Sequence, residues 1–123
     1  MKPSKSIIQV AKEQASMSLS RFRVGAVVFY KGTVVGEGYN DSIKTHPKSP
    51  HPYKVIDAEF AAVIDAIRSL GGHGYERFML KDCGIYVHRL LKDGSAGNSK
   101  PCSFCQQMLE WTGIKKEEIY YSV

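Results

Sequence analysis

Apolar residues recur at helical spacing through residues 4–19, where Ile7, Ile8, Ala11, Ala15 and Leu19 share one stripe. This predicts a first helix. From Val24 to Tyr30 the chain turns apolar and β-branched, and Thr33 to Tyr39 reads as a return strand. Lys31-Gly32 between them is a two-residue turn signal, so the two strands are expected to form a hairpin. The segment 40–56 breaks this pattern. Pro47, Pro50 and Pro52 interrupt helix and strand ladders alike, so it reads as a loop. Asp57 to Leu70 shows a new helical stripe of Phe60, Val63, Ile64 and Ile67, closed by Gly71-Gly72. Cys83 to Leu90 reads as a strand and Lys92 to Lys100 as a polar loop. Pro101 opens a helix that stops at Gly113, and Ile119 to Val123 reads as a last strand.

The resulting order, α-β-β-α-β-α-β, fits a single domain over residues 1–123. It predicts a three-layer α/β fold with a mixed β-sheet flanked by helices. The hairpin supplies an antiparallel pair, and the crossover helices are expected to add parallel neighbours. With 43% hydrophobic and 24% charged residues, the chain falls outside the disordered class. No apolar run approaches the ~18 residues of a membrane span. Residues 1–20 lack a signal-peptide pattern, so a cytoplasmic location is expected.

Lys and Arg number 17 against 12 Asp and Glu, which gives a net charge of +5. That balance suits an anionic ligand, a phosphate or a nucleic acid, or simply a mildly basic solvated surface. The odd count of three cysteines argues against a disulfide framework. Cys83 reads as a small buried hydrophobe beside an apolar run, whereas Cys102 and Cys105 form a C-x-x-C.

Two short stretches stand out: Asp57-Ala58-Glu59 and Pro101-Cys102-Ser103-Phe104-Cys105. Each opens a predicted helix. A helix start offers partial positive charge and free N–H groups, which is expected to lower the thiol pKa of Cys102 and Cys105. Three anionic ligands can then meet from two helix ends. A tetrahedral Zn²⁺ with three protein ligands keeps one position open for water, the catalytic arrangement. Each residue also has a plainer reading. Asp57 can be an N-cap, Glu59 a first-turn acid that favours the helix dipole, and the cysteines a redox pair.

Taken together, the motifs resemble the zinc-dependent cytidine/deoxycytidylate deaminase superfamily, whose signature is H-x-E followed by P-C-x-x-C. Phe22-Arg23-Val24-Gly25-Ala26 is similar to that family's first-strand F-x-V-G-A segment, and Gly38-Tyr39-Asn40 to the end of its second strand. Lys44-Thr45-His46-Pro47 and Gly97-Asn98-Ser99-Lys100-Pro101-Cys102 resemble stretches of phage and bacterial deaminase-like proteins. The resemblance implies a cytidine-deaminase-like fold, a Zn²⁺ held by Asp57, Cys102 and Cys105, and Glu59 as the proton shuttle. It places Asn40 at the sugar or base and the backbone of Ala58 at the pyrimidine edge. It also implies assembly into a homo-oligomer. The basic residues Lys44, His46, Lys48 and Lys54 run straight into Asp57. They are either a solvated face or a clamp on a substrate phosphate, with Lys44 and His46 foremost.

The implied function is hydrolytic deamination of an amino-pyrimidine nucleoside or nucleotide, with deoxycytidylate favoured. The alternatives are a deaminase acting on single-stranded DNA or transfer RNA, and an inactive binding module with or without metal. The last arises because Asp57 stands where the family usually has His or Cys. An Asp oxygen lies two bonds beyond Cβ, as does a His Nδ1, and aspartate is an accepted zinc ligand. Asp with two thiolates over-neutralises a divalent cation by one charge, which is expected to weaken the acidity of a bound water unless a cation or N–H group compensates.

Overall fold

The computed structural model describes residues 2–49, 55–72 and 79–123, with backbone alone at 42–45 and 55. Ser4 caps helix α1 (Lys5–Met17), its Oγ accepting from the Ile7 N–H at 3.3 Å. Strands β1 (Arg23–Tyr30) and β2 (Thr33–Tyr39) form the expected hairpin. Lys31 and Gly32 take φ of 49° and 87°, the left-handed values that a tight two-residue turn of this hand demands.

The expected loop at 40–56 is different in the structure. Strand β3 (Asp41–Thr45) pairs antiparallel with β4 (Val55–Ile56) in a small second sheet. The pairing joins Asp41 to Ile56 and Thr45 to Val55 across an irregular register, too short to leave a period in the sequence. Pro50, Pro52 and Lys54 lie outside the described residues.

Helix α2 (Ala58–Ser69) follows, then β5 (Gly84–Leu90), the two-residue strand β6 (Ala96–Gly97) within the expected polar loop, and α3 (Ser103–Trp111). A short 3-10 turn (Lys116–Glu118) leads into β7 (Ile119–Tyr121). The main sheet has five strands in the order β2-β1-β5, with β6 and β7 sharing the outer edge of β5. Only part of the expected parallel pairing is present. The α3 crossover brings β7 parallel to β5, but β5 lies beside β1 rather than β2 and is antiparallel to it.

Alternation along the strands feeds two cores. Val27, Phe29 and Tyr86 face α1 through Ile7 and Ala11. Ala26, Val28, Ile85 and Val87 face α2 and α3 through Val63, Ile67, Met108 and Leu109. The predicted three layers are therefore present. No helix among the described residues is long and apolar enough to cross a membrane.

Two close approaches fix how the helices sit. A Cβ at Gly25 would strike the backbone of Ala11 and Ala15 in α1, and one at Gly36 would strike the backbone of Ala62 and Ala66 in α2. Small residues on both sides let helix and strand backbones touch, which sets the height of α2 over β2. Gly36→Ala is therefore expected to destabilise the fold by about 1–3 kcal/mol or more, the scale of overpacking against neighbours that cannot yield. Urea unfolding checks this, and an unchanged midpoint would contradict the packing described.

Candidate metal centre and cleft

Strand β4 leads into α2 and the segment after β6 leads into α3, and the two helix starts bring their ligand-type side chains together. Asp57 occupies the N-cap position of α2 with an extended backbone (φ −82°, ψ 157°), yet its side chain makes no capping hydrogen bond. Its carboxylate instead accepts from the Cys105 thiol, Sγ to Oδ2 at 3.2 Å. Cys102 is likewise the N-cap of α3, and its side chain makes no cap hydrogen bond. The helix starts at Ser103, with Pro101 just outside it. One ligand atom each from Asp57, Cys102 and Cys105 lies within 4.8 Å of the others.

How Cys102 is carried there is a matter of serine hydroxyls. Ser99 Oγ donates to the Val87 carbonyl at 2.7 Å, and Ser122 Oγ donates to the Gly97 carbonyl at 2.6 Å. Ser122 Oγ also accepts from the Arg89 N–H at 3.1 Å. These buried bonds tie residues 97–99 to β5 and the chain's end, so the next three residues deliver Cys102 to a set place. Nothing local in the sequence pairs Ser122 with Ser99, so its part in placing Cys102 is visible only in the fold.

Charge defines the site. Glu59 is only 7% exposed. Burial pushes its carboxyl up to about 7, with the Asp57 carboxylate adding to the rise, while hydrogen bonds from the backbone and from Cys105 pull the other way. Cys105 is 1% exposed. Its thiol is pushed up, first by burial and then by the charges of Glu59, Asp57 and Cys102. This reverses the expectation that the helix start lowers it, because desolvation and three anionic neighbours outweigh the helix dipole. With no cation, a proton on Cys105 shared towards Asp57 is the relief available. A divalent cation would replace that proton and draw together one carboxylate and two thiolates, a donor set that suits zinc.

These groups line a cleft of about 320 Å³. Ala58, Glu59 and Asn40 also line it, together with Phe22, Val24, Arg89 and the segment Asn98–Lys100. Asn40 is tightly held. Its Nδ2 donates to the Phe22 carbonyl at 2.6 Å, and its Oδ1 accepts from Val24 N–H at 3.0 Å and Ser18 Oγ at 2.7 Å. Of the basic segment, His46 packs its ring edge-on against Phe60 at 5.1 Å, and its Nδ1 accepts from the Lys48 N–H at 3.1 Å. The Lys44 side chain and Lys54 fall outside the described residues. Arg89 was not singled out from the sequence. The signal was there: it follows Ile85 and Val87 on the inward face of β5, where a charge has no place unless the cover ends.

Residues 1–121 match the family model described as "Cytidine and deoxycytidylate deaminase zinc-binding region". A search of curated proteins gave no match. Among solved structures the chain is similar to a dCMP deaminase from the cyanophage S-TIM5, with a TM-score of 0.63 and 22% identity over 98% of this chain and 84% of that one. It is similar to a guanine deaminase from Bacillus subtilis, with a TM-score of 0.62 and 21% identity over 98% of this chain and 64% of that one. It is also similar to a structure from work on tRNA:A34 deaminases, with a TM-score of 0.61 and 22% identity over 94% of this chain and 73% of that one. At such identities the likeness speaks for the fold. A pyrimidine nucleotide, a purine base and a transfer RNA are named among these proteins, so the substrate is left open.

The burial pattern makes a direct prediction. In chelator-treated native protein, a thiol reagent is expected to modify the exposed Cys102 promptly, and the buried Cys83 and Cys105 only on unfolding. Prompt reaction of more than one thiol per chain, located by peptide mass mapping, would contradict this geometry.

Proposed function

Because the chain belongs to the cytidine and deoxycytidylate deaminase zinc-binding family, we propose that it is a hydrolytic deaminase of an amino-pyrimidine nucleotide, with deoxycytidylate the favoured substrate. The observation that carries this reading is the meeting of three metal-ligand atoms within 4.8 Å, next to a buried carboxyl in the same cleft. Asp57, Cys102 and Cys105 would hold zinc, which when bound supplies a polarised water at neutral pH.

The rest of the chemistry belongs to the chain. Glu59 would accept a proton as water oxygen adds to the ring carbon that bears the amine. It would give that proton to the adjacent ring nitrogen, then help move one to the amine as the C–N bond breaks and ammonia leaves. Its burial keeps bulk water from competing for these transfers. The Ala58 N–H lies in the first turn of α2, where it has no partner within the helix, and would bond the pyrimidine edge. The Asn40 amide has a second N–H beyond the one given to Phe22, available to a sugar hydroxyl. Lys44 would reach towards a phosphate, while His46, packed on Phe60, would brace the segment that carries it.

A nucleic-acid substrate is the second reading. It is favoured by Phe22, 54% exposed in the cleft wall, and by the similarity to the tRNA:A34 deaminase structure. Gel-shift assays on single-stranded DNA and transfer RNA distinguish it from a free-nucleotide enzyme. Ammonia release from a panel of nucleosides and nucleotides tests the main reading. No release from any of them by zinc-replete protein would leave only a metal-binding module.

Two outcomes are expected. Elemental analysis should find close to one zinc per chain, retained in Asp57→His and lost in Asp57→Ala. Less than ~0.2 zinc per chain in protein purified without chelators would count against the ligand set. Glu59→Ala should keep the zinc and fold but lose activity by about 10²-fold or more, the usual scale of a general acid–base group. Near-normal turnover in that variant would remove Glu59 from the chemistry.

A further inference from the structure

We propose that Arg89, seated on the ring of Phe22, reads the substrate's anionic group and makes the enzyme select a nucleoside monophosphate over the free nucleoside. The proposal rests on the deaminase reading above and names the substrate class of that same site.

The placement comes from strand geometry. Ile85 and Val87 point from β5 into the core beneath α2 and α3. Arg89 is the next position on that face, with Val24 as its cross-strand partner. Both helices begin at this edge of the sheet, so the cover ends there and Arg89 lines the cleft instead.

Its guanidinium carbon lies 4.7 Å from the centroid of the Phe22 ring. Arg21 approaches the same ring at 5.7 Å. Contact with the ring orients the guanidinium without consuming its N–H groups. Among the described residues, the Arg89 side chain makes no hydrogen bond or ion pair. Asp57 and Glu59 line the same cleft but do not pair with it. One cleft therefore combines the carboxylates and cysteines that suit a cation with the guanidinium of Arg89, and Lys100 and Asn98 share its lining. A guanidinium presents a planar fork that matches a phosphate bidentately, and an aromatic support lowers the cost of holding it still. A ligand that meets both groups has a reacting ring for the carboxylates and cysteines and an anion for the guanidinium.

The test uses zinc-replete protein and the product pair deoxyuridylate and deoxyuridine, which do not turn over, in titration calorimetry. Wild type should bind deoxyuridylate about tenfold or more tighter than deoxyuridine, the scale of hydrogen bonds to a charged group. Arg89→Gln should bring the two within about threefold by weakening deoxyuridylate alone. Arg89→Lys, which keeps the charge and loses the fork, should fall between. Equal weakening of both ligands, or no weakening of either, would overturn the proposal. So would loss of affinity for a short oligodeoxycytidylate with deoxyuridylate unaffected, since the anion read would then belong to a strand. If Arg89→Gln leaves discrimination intact while the protein releases ammonia, the proposal alone fails. If no amino-pyrimidine releases ammonia and neither product binds, the deaminase reading fails with it.

Discussion

Four groups able to carry negative charge meet where α2 and α3 begin, and much of the structure serves to hold them there against their mutual repulsion. Asp57 forgoes the capping bond its position invites, and Cys105 donates its thiol proton to it at 3.2 Å. Glu59 is buried beside them with its carboxyl pushed up to about 7. Such a cluster is costly without a counter-charge, since burial weakens the solvent screening that would make it tolerable. The scaffold maintains it by rigid means. Gly36 and Gly38 let α2 lie on the backbone of β2, and the Ser99–Ser122 bonds pin the chain just ahead of Cys102. A divalent cation at this point would convert the repulsion into ligation and so link metal binding to stability.

Asp57 alters the electrostatics of such a centre more than its reach. Carboxylate and imidazole donors sit equally far from the backbone, but the carboxylate brings a full charge. The centre is then over-neutralised, and a bound water is less acidic unless positive potential nearby compensates. The free N–H groups at the starts of α2 and α3 supply part of it. Arg89 and Lys100 add positive charge in the same cleft. The outcome is a cleft lined by both signs of charge, which suits a ligand that carries both a reacting ring and an anion.

Long periodic segments were legible before the structure. The three helices and the β1–β2 hairpin lie within two or three residues of where the apolar stripes place them, because each has enough turns or alternations to establish a period. Asp57, Cys102 and Cys105 were legible as a group because two helix starts with ligand-type side chains are a local signal. What was not legible depends on partners distant in the chain. Strands β3, β4 and β6 are held by two to five residues each, below the length at which alternation shows. The side of the hairpin on which β5 docks is decided by how α2 packs, so its antiparallel pairing to β1 was missed. The thiol of Cys105 moved opposite to expectation, since the helix start is local but the burial and the neighbouring carboxylates are tertiary. Arg89 acquires its meaning from where the helices stop covering the sheet.

Everything proposed for this cleft depends on Asp57, Cys102 and Cys105 together forming a zinc centre. X-ray absorption at the zinc edge, on protein loaded with one equivalent, reports the ligand elements directly. Two sulfur scatterers are expected with the remaining positions filled by oxygen, and Asp57→Ala is expected to lose the bound zinc. Zinc with fewer than two sulfurs, or with the multiple-scattering signature of histidine imidazole, would contradict it.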